Sequence, residues 1–116
     1  MATSKIIGTI KDTGWINIPA GDASDYEKVT LTTAKYRQVN NIVFISIYNT
    51  GSPISSGWKN FGKMPAGTRP SIKLFASGSN RSGAGYEIQL ETGGNIYLNS
   101  NSDITFTSLM LSYPAN

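Results

Sequence analysis

The fold class of this 116-residue chain is decided by one stretch, YRQVNNIVFISIY at positions 36–48. Its second half, residues 42–48, is almost continuously apolar, which predicts a central β-strand covered on both faces. Asn40 and Asn41 stand directly before that strand. Asparagine tolerates the positive φ that a tight hairpin turn requires. The stretch therefore predicts a tight hairpin turn followed by a central strand of a sheet.

Elsewhere, short apolar runs alternate with polar residues at a period of two, and Gly, Asn or Pro interrupts them about every ten residues. No segment keeps a 3.6-residue apolar period. The pattern predicts an all-β domain. About eight strands without a helix favour an antiparallel β-sandwich or jelly-roll-like knob that spans residues 1–116 as one domain. The predicted strands are 5–11, 15–18, 28–33, 42–48, 71–76, 86–91, 95–99 and 104–111.

Two interruptions of this alternation predict β-bulges, which shift the side-chain phase by one residue. The first is near 33–35, because Tyr36 is out of phase with the run 29–33. The second is near Ser108, where the two halves of 104–111 favour opposite registers.

The composition excludes several function classes. The chain has neither cysteine nor histidine, so disulfides, thiolate metal sites and His-dependent nucleophilic triads are impossible. Its ten Lys and Arg residues exceed its seven acids, but they are spread along the chain, whereas a nucleic-acid surface needs a basic patch. Residues 1–14 lack the long apolar run of a signal peptide or membrane span. We therefore expect neither a nucleic-acid partner nor membrane insertion.

The acidic residues give little support for an enzyme or a metal site. The segment DASDYE (22–27) could offer oxygen ligands to calcium, but its spacing favours a polar surface loop. Glu87 and Glu91 share the outward face of one predicted strand, with Cα atoms roughly 13 Å apart. The carboxylate pairs of glycosidases are about 5 to 10 Å apart. We therefore expect no catalytic residue, cofactor or metal.

The aromatic residues are better candidates for a binding site, because sugars present flat apolar faces ringed by hydroxyls. The candidates are strand-end or outward aromatics and two residues of the polar loop 77–85: Tyr48, Trp58, Tyr97, Asn80 and Arg81. Alternatively, Trp58 packs under the turn that follows it and Arg81 extends into solvent. The remaining large aromatics are predicted to lie in the core: Trp15, Phe44, Phe61 and Phe106.

The segment MPAGTRP (64–70) predicts a rigid structural turn. Pro65 and Pro70 hold φ near −65° and push their preceding residues toward extended geometry. Gly67 permits a positive φ, and Met64 is predicted to lie beneath the turn. Arg69 is held extended, where its guanidinium can bind a carboxylate of the same chain or of a neighbouring subunit.

Three stretches in a characteristic order carry a resemblance to a known family. They are DTGWINIP (12–19), AKYRQVNNIVFIS (34–46) and WKNFGKMPAGTRPS (58–71), followed by a GGNIYL hairpin at 93–98. This order resembles the C-terminal receptor-binding domains of bacteriophage tail fibres and baseplate proteins. Met64 stands where such proteins commonly have Leu, a volume-conserving change. Thr68 stands where an aromatic is common, so this turn does not supply an aromatic contact.

The resemblance implies a non-catalytic recognition module. It implies a homotrimer, attached to the rest of a tail fibre or baseplate in the virion, that binds a saccharide of the bacterial surface and is made in the host cytoplasm without a signal peptide. Phe75 and Tyr97, which face away from the predicted core, favour such an assembly. One alternative is a structural knob that trimerises or caps a fibre without a receptor site of its own. A glycan-cleaving enzyme is a weaker alternative.

Overall fold

Nine β-strands form two sheets in the computed structural model, which describes residues 10–22, 25–50, 52–79, 83–104 and 107–116. The strands are β1 (Ile16–Asn17), β2 (Glu27–Lys28), β3 (Thr33–Val39), β4 (Ile42–Asn49), β5 (Gly57–Lys63), β6 (Leu74–Ser79), β7 (Gly85–Leu90), β8 (Asn95–Ser100) and β9 (Thr107–Pro114). One sheet has the order β1-β3-β4-β9 and the other has the order β2-β5-β8-β7-β6. No helix occurs in the described ranges.

The two sheets pack face to face around one apolar core. Val43, Ile45 and Ile47 of β4 alternate inward and are at most 1% exposed. Opposite them lie the inward residues of β7 and β8, which include Ile88 and Leu98, each 1% exposed. All pairings between neighbouring strands are antiparallel except that of β2 with β5. The predicted all-β sandwich is confirmed.

The β3–β4 hairpin has the predicted turn. Asn40 has φ 54°, and Val39 pairs with Ile42 across a two-residue loop. The expected cover on both faces of β4 is wrong for this structure, since the outward residues of the strand are only partly buried. Phe44 lies on that outward face rather than in the core, and Ile42 is 39% exposed.

Neither predicted bulge occurs. β3 pairs with β4 in unbroken register from Thr33 to Val39. The change of phase before Tyr36 arises because residues 29–32 lie outside any strand. β9 pairs with β4 without a break from Thr107 to Pro114. Ile104 belongs to an isolated bridge with Ile54, and the strand described in this region begins at Thr107.

Strand β5 was not predicted, and it contains the observed irregularity, between Asn60 and Gly62. The segment before β2 packs against its C-terminal part. A Cβ added at Gly62 would lie 2.5 Å from Cγ2 of Ile18, and the Lys63 amide donates a hydrogen bond to the Pro19 carbonyl at 3.0 Å. Phe61 is in the core at 6% exposed, as predicted.

Other predicted strands changed in extent, and the one predicted at 71–76 runs from Leu74 to Ser79. The strand predicted at 28–33 is limited to Glu27–Lys28, and most of the strand predicted at 5–11 lies outside the described residues. The predicted core residue Phe106 also lies outside them. Trp15 is 43% exposed rather than in the core, because the two-residue strand β1 that follows it is at the edge of the sheet formed by the described strands.

Hydrogen bonds and burial stabilise the turn at 64–70, which follows β5. Gly67 has φ 90°, and Pro65 accepts hydrogen bonds from the amide and the hydroxyl of Thr68. A positive φ at the third residue is typical of a type II turn. Met64 is fully buried, as predicted. The hydroxyl of Tyr113 donates to the Thr68 carbonyl at 2.6 Å and connects the turn to β9.

Arg69 has a different partner from the expected one within the chain. Its Nε donates to the Met64 carbonyl oxygen at 2.8 Å. The ion pairs among the described residues are Arg37–Asp12 and Lys63–Asp22. Arg69 therefore stabilises the turn through a backbone carbonyl and not through a carboxylate of its own chain. Pro70, the second proline of the turn, is buried.

Candidate functional site

Three strands place Tyr26, Trp58 and Tyr97 side by side on the outer face of the five-stranded sheet. β2 runs parallel to β5 with Glu27 beside Lys59, so Tyr26 comes next to Trp58. β5 is antiparallel to β8, with Trp58 beside Asn99. Because side chains alternate between faces along a strand, Trp58 and Tyr97 project to the same side.

The three rings contact one another. The centroids of Tyr26 and Tyr97 are 5.1 Å apart with an interplanar angle of 77°. Trp58 lies 6.1 Å from Tyr26 and 6.4 Å from Tyr97, at 35° and 87°. The two contacts of Tyr97 are edge-to-face, a geometry that is favourable for aromatic pairs. They hold the rings in fixed orientations, with Tyr26 outermost at 40% exposed and Tyr97 innermost at 6%.

These rings form one wall of a surface depression of about 280 Å³. We call it the aromatic concavity, and its lining residues are Asp25, Tyr26, Trp58, Gln89, Glu91 and Tyr97. The Tyr97 hydroxyl donates to Oε1 of Glu91 at 3.0 Å. Burial, and then the hydrogen bond to Glu91, raise the pKa of Tyr97 to about 12. Glu91 is thus held in place by a hydroxyl that stays protonated at neutral pH.

The chemistry of this depression is that of recognition. An exposed ring can stack on an apolar ligand face, while carboxylate and amide oxygens accept hydrogen bonds from hydroxyl or ammonium groups. Glu87 and Glu91 occupy the same outer face, as predicted, and both are half-buried. No group of three or more Asp and Glu side chains that could hold a metal ion occurs within the described parts of the chain.

The binding-site residues predicted from the sequence do not all lie together in the structure. Trp58 and Tyr97 meet in the aromatic concavity, and Trp58 packs against Tyr26 and Tyr97 there. Tyr48 lies on the outer face of the other sheet, at the end of β4, because residues of β4 with even numbers face outward. Asn80 and Arg81 lie outside the described residues.

Four residues of the concavity were missed by the sequence analysis. Tyr26 and Asp25 belong to the segment DASDYE, which was assigned to a polar loop. Gln89 and Glu91 were assigned to a solvated strand face. The sequence signal for this part of the site was an aromatic residue, Tyr26, within an acidic segment. The parallel pairing of β2 with β5, which brings Tyr26 to Trp58, could not be predicted from the local sequence.

Two larger depressions, of about 560 and 590 Å³, flank residues 29–32 at the open edge of the sandwich. The second includes Asn60, whose buried Oδ1 has no hydrogen-bond partner among the described residues. A Cβ added at Gly21 would fall 1.7 Å from that oxygen. The oxygen is therefore packed against the Gly21 backbone and is not available to a ligand.

Comparisons of the chain with protein-family models, with curated proteins and with solved structures found no match. Among the described residues there is no helix long and apolar enough to cross a membrane. The chemistry of the aromatic concavity and the family resemblance are therefore the observations from which a function can be argued.

Proposed function

We propose that this chain is a non-catalytic carbohydrate-recognition domain, which binds a saccharide of the bacterial surface at the aromatic concavity. The observation that carries the proposal is the juxtaposition of Tyr26, Trp58 and Tyr97 with the side chains of Gln89 and Glu91. A sugar ring needs an apolar plate beside fixed hydrogen-bonding groups, and it needs no deep cavity. The resemblance to tail-fibre receptor-binding domains supports a place at the tip of a phage fibre.

A glycan-array screen of the purified chain tests the proposal, followed by measured affinities for the best ligand. We expect Trp58→Ala to weaken binding at least tenfold, equivalent to about 1.4 kcal/mol, while the protein still melts cooperatively. Trp15→Ala is the matched control, since Trp15 is an exposed tryptophan outside the concavity. Equal affinity of Trp58→Ala and the parent protein would show that the concavity is not the binding site.

Arg81 remains a candidate from the sequence. We expect Arg81→Ala to weaken adsorption to cells at least tenfold, in line with its proposed contact to the saccharide. An unchanged affinity of Arg81→Ala, together with loss of binding in Trp58→Ala, would limit the site to the aromatic concavity.

The proposed assembly is a homotrimer. A weak saccharide site gains avidity when three copies are fixed in one particle. Of the two residues expected to favour assembly, Phe75 is 61% exposed, whereas Tyr97 is covered by Tyr26 and Trp58. Ile72 and Met110 add exposed apolar surface, at 66% and 60%. Phe75 lies on the outer face of the five-stranded sheet and Met110 on the outer face of the four-stranded sheet, so each sheet offers an exposed apolar side chain to a neighbouring subunit.

Light scattering measures the assembly directly. We expect a mass about three times 12.5 kDa, and a clean monomer at micromolar concentration would contradict the trimer. The same exposed side chains favour the second candidate function, a structural knob without its own receptor site. A trimer that binds no glycan, and whose Trp58→Ala variant supports normal cell adsorption, would favour the knob.

A further inference from the structure

The aromatic concavity has a negative charge that contrasts with the rest of the protein. Two of the seven acidic residues, Asp25 and Glu91, line it, in a chain of net charge +3. Neither Lys nor Arg occurs among the described residues that line it. The local charge therefore disfavours saccharides that carry carboxylate, sulfate or phosphate groups.

No Lys or Arg among the described residues forms an ion pair with Asp25 or Glu91. Lys63 forms an ion pair with Asp22. The Nζ of Lys73 lies 5.9 Å from the ring centroid of Phe75, on the far edge strand β6. Lys28 lines the depression next to Gly21 and not the aromatic concavity. These side chains leave the two carboxylates of the concavity without a neutralising partner among the described residues.

A neutral ligand would cover those carboxylates without compensating their charge, and burying an unpaired charge is costly. An ammonium group offsets that cost through attraction to the carboxylates. It is also attracted to the faces of tryptophan and tyrosine rings. Burial is the largest cause of the raised pKa of Tyr97, and the carboxylates of Glu91 and Asp25 add to it, which is consistent with negative potential at the ring cluster.

We propose that the ligand of the aromatic concavity is a saccharide that carries an ammonium group, bound with its ring against Tyr26 and its cation beside Glu91 and Asp25. This inference rests on the proposed function and names the chemical class of the ligand. Two sources supply that chemistry: an amino sugar with a free amine, or a sugar substituted with choline.

Isothermal titration with two matched oligosaccharides tests the inference on the intact chain. At mildly acidic pH, glucosamine oligomers carry an ammonium group on each ring, and N-acetylglucosamine oligomers of the same length have the same ring skeleton with that charge removed. We expect the glucosamine oligomer to bind about tenfold more tightly. Free choline is the third probe: competition by choline that exceeds competition by glucosamine would assign the cation to a choline substituent.

Two variants locate the charge effect. Glu91→Gln keeps an oxygen that accepts the hydrogen bond from Tyr97, and we expect it to weaken binding of the glucosamine oligomer about tenfold and binding of the acetylated oligomer less. Glu87→Gln is the matched control, since Glu87 has the same charge on the same strand face but does not line the concavity. Thermal melting checks that both variants are folded.

The outcomes separate this inference from the proposed function. Acetylated oligomers that bind as tightly as glucosamine oligomers, with binding lost in Trp58→Ala, would overturn the ammonium class and leave saccharide recognition standing. An equal loss of affinity for the glucosamine oligomer in Glu91→Gln and Glu87→Gln would also overturn the ammonium class, because the effect would then come from the net charge of the protein. Absence of binding by glucosamine oligomers and by choline would overturn it as well, and the glycan array alone would then decide the function.

Discussion

Replacement of Gly94 by alanine should be among the most destabilising single-methyl changes in this protein. Gly94 has φ 101° in the turn between β7 and β8, and a side chain in such a strained region costs about 1 to 3 kcal/mol. The added Cβ would lie 2.5 Å from the Met64 carbonyl oxygen and 2.8 Å from Nε of Arg69. The Met64 segment would have to move, which disrupts the hydrogen bonds Met64 N to Gly94 O and Arg69 Nε to Met64 O.

The magnitude follows from a comparison with Gly67. Gly67 has φ 90°, and nothing lies within 4 Å of its added Cβ, so Gly67→Ala reports backbone strain alone, about 2 kcal/mol. Gly94→Ala adds two disrupted hydrogen bonds at about 1 kcal/mol each. The two variants should therefore differ by about 2 kcal/mol in the free energy of unfolding.

Urea unfolding and thermal melting measure this difference, which corresponds to about 8 °C for a domain of this size. Gly93→Ala is a further control, because Gly93 has neither a positive φ nor a neighbour within 4 Å of its Cβ. Melting temperatures of Gly94→Ala and Gly67→Ala within about 2 °C of each other would refute the packing argument.

Two further predictions concern Arg69 and Tyr97. Arg69→Ala should lower the free energy of unfolding by about 1 kcal/mol through loss of its bond to the Met64 carbonyl, as measured by urea unfolding; unchanged stability and assembly with lost cell adsorption would show instead that Arg69 contacts the receptor. The pKa of Tyr97 is raised to about 12, so the folded state favours the neutral phenol. The stability that Tyr97 contributes is therefore present below about pH 10, the ordinary tyrosine pKa. It is lost as the pH rises toward 12. Denaturation at a series of alkaline pH values should show a shallower loss for Tyr97→Phe, and identical pH profiles would contradict the assigned pKa.

Strand β4, the turn that leads into it and the β7–β8 hairpin were predictable, because local signals determine them. Asn40 and Gly94 supply the positive φ that their turns require. The alternation of Tyr86, Ile88 and Leu90 matches their burial. These features depend on residues close together in sequence, so the period-two pattern and turn chemistry suffice.

The parts that were not predicted depend on contacts between distant segments. β5 contains no clean alternation, and Ile18 and Pro19 cover it at Gly62. The two-residue strand β2 exists because it pairs with β5. The site shows the same division: Trp58 and Tyr97 were identified from their positions in the sequence, whereas Tyr26 joins them only through that pairing. Tyr48 was grouped with them because local alternation does not tell which sheet a strand joins.

The two sides of the aromatic concavity differ in how freely they can change. Tyr97 lies on β8, inside the five-stranded sheet, and is 6% exposed, so its replacement disturbs packing. Tyr26 lies next to the two-residue edge strand β2 and is 40% exposed, and surface substitutions of this kind usually change stability by little. Substitutions that change ligand specificity should therefore accumulate first at 25–28. Side chains there can change next to an unchanged Tyr97 without loss of the fold.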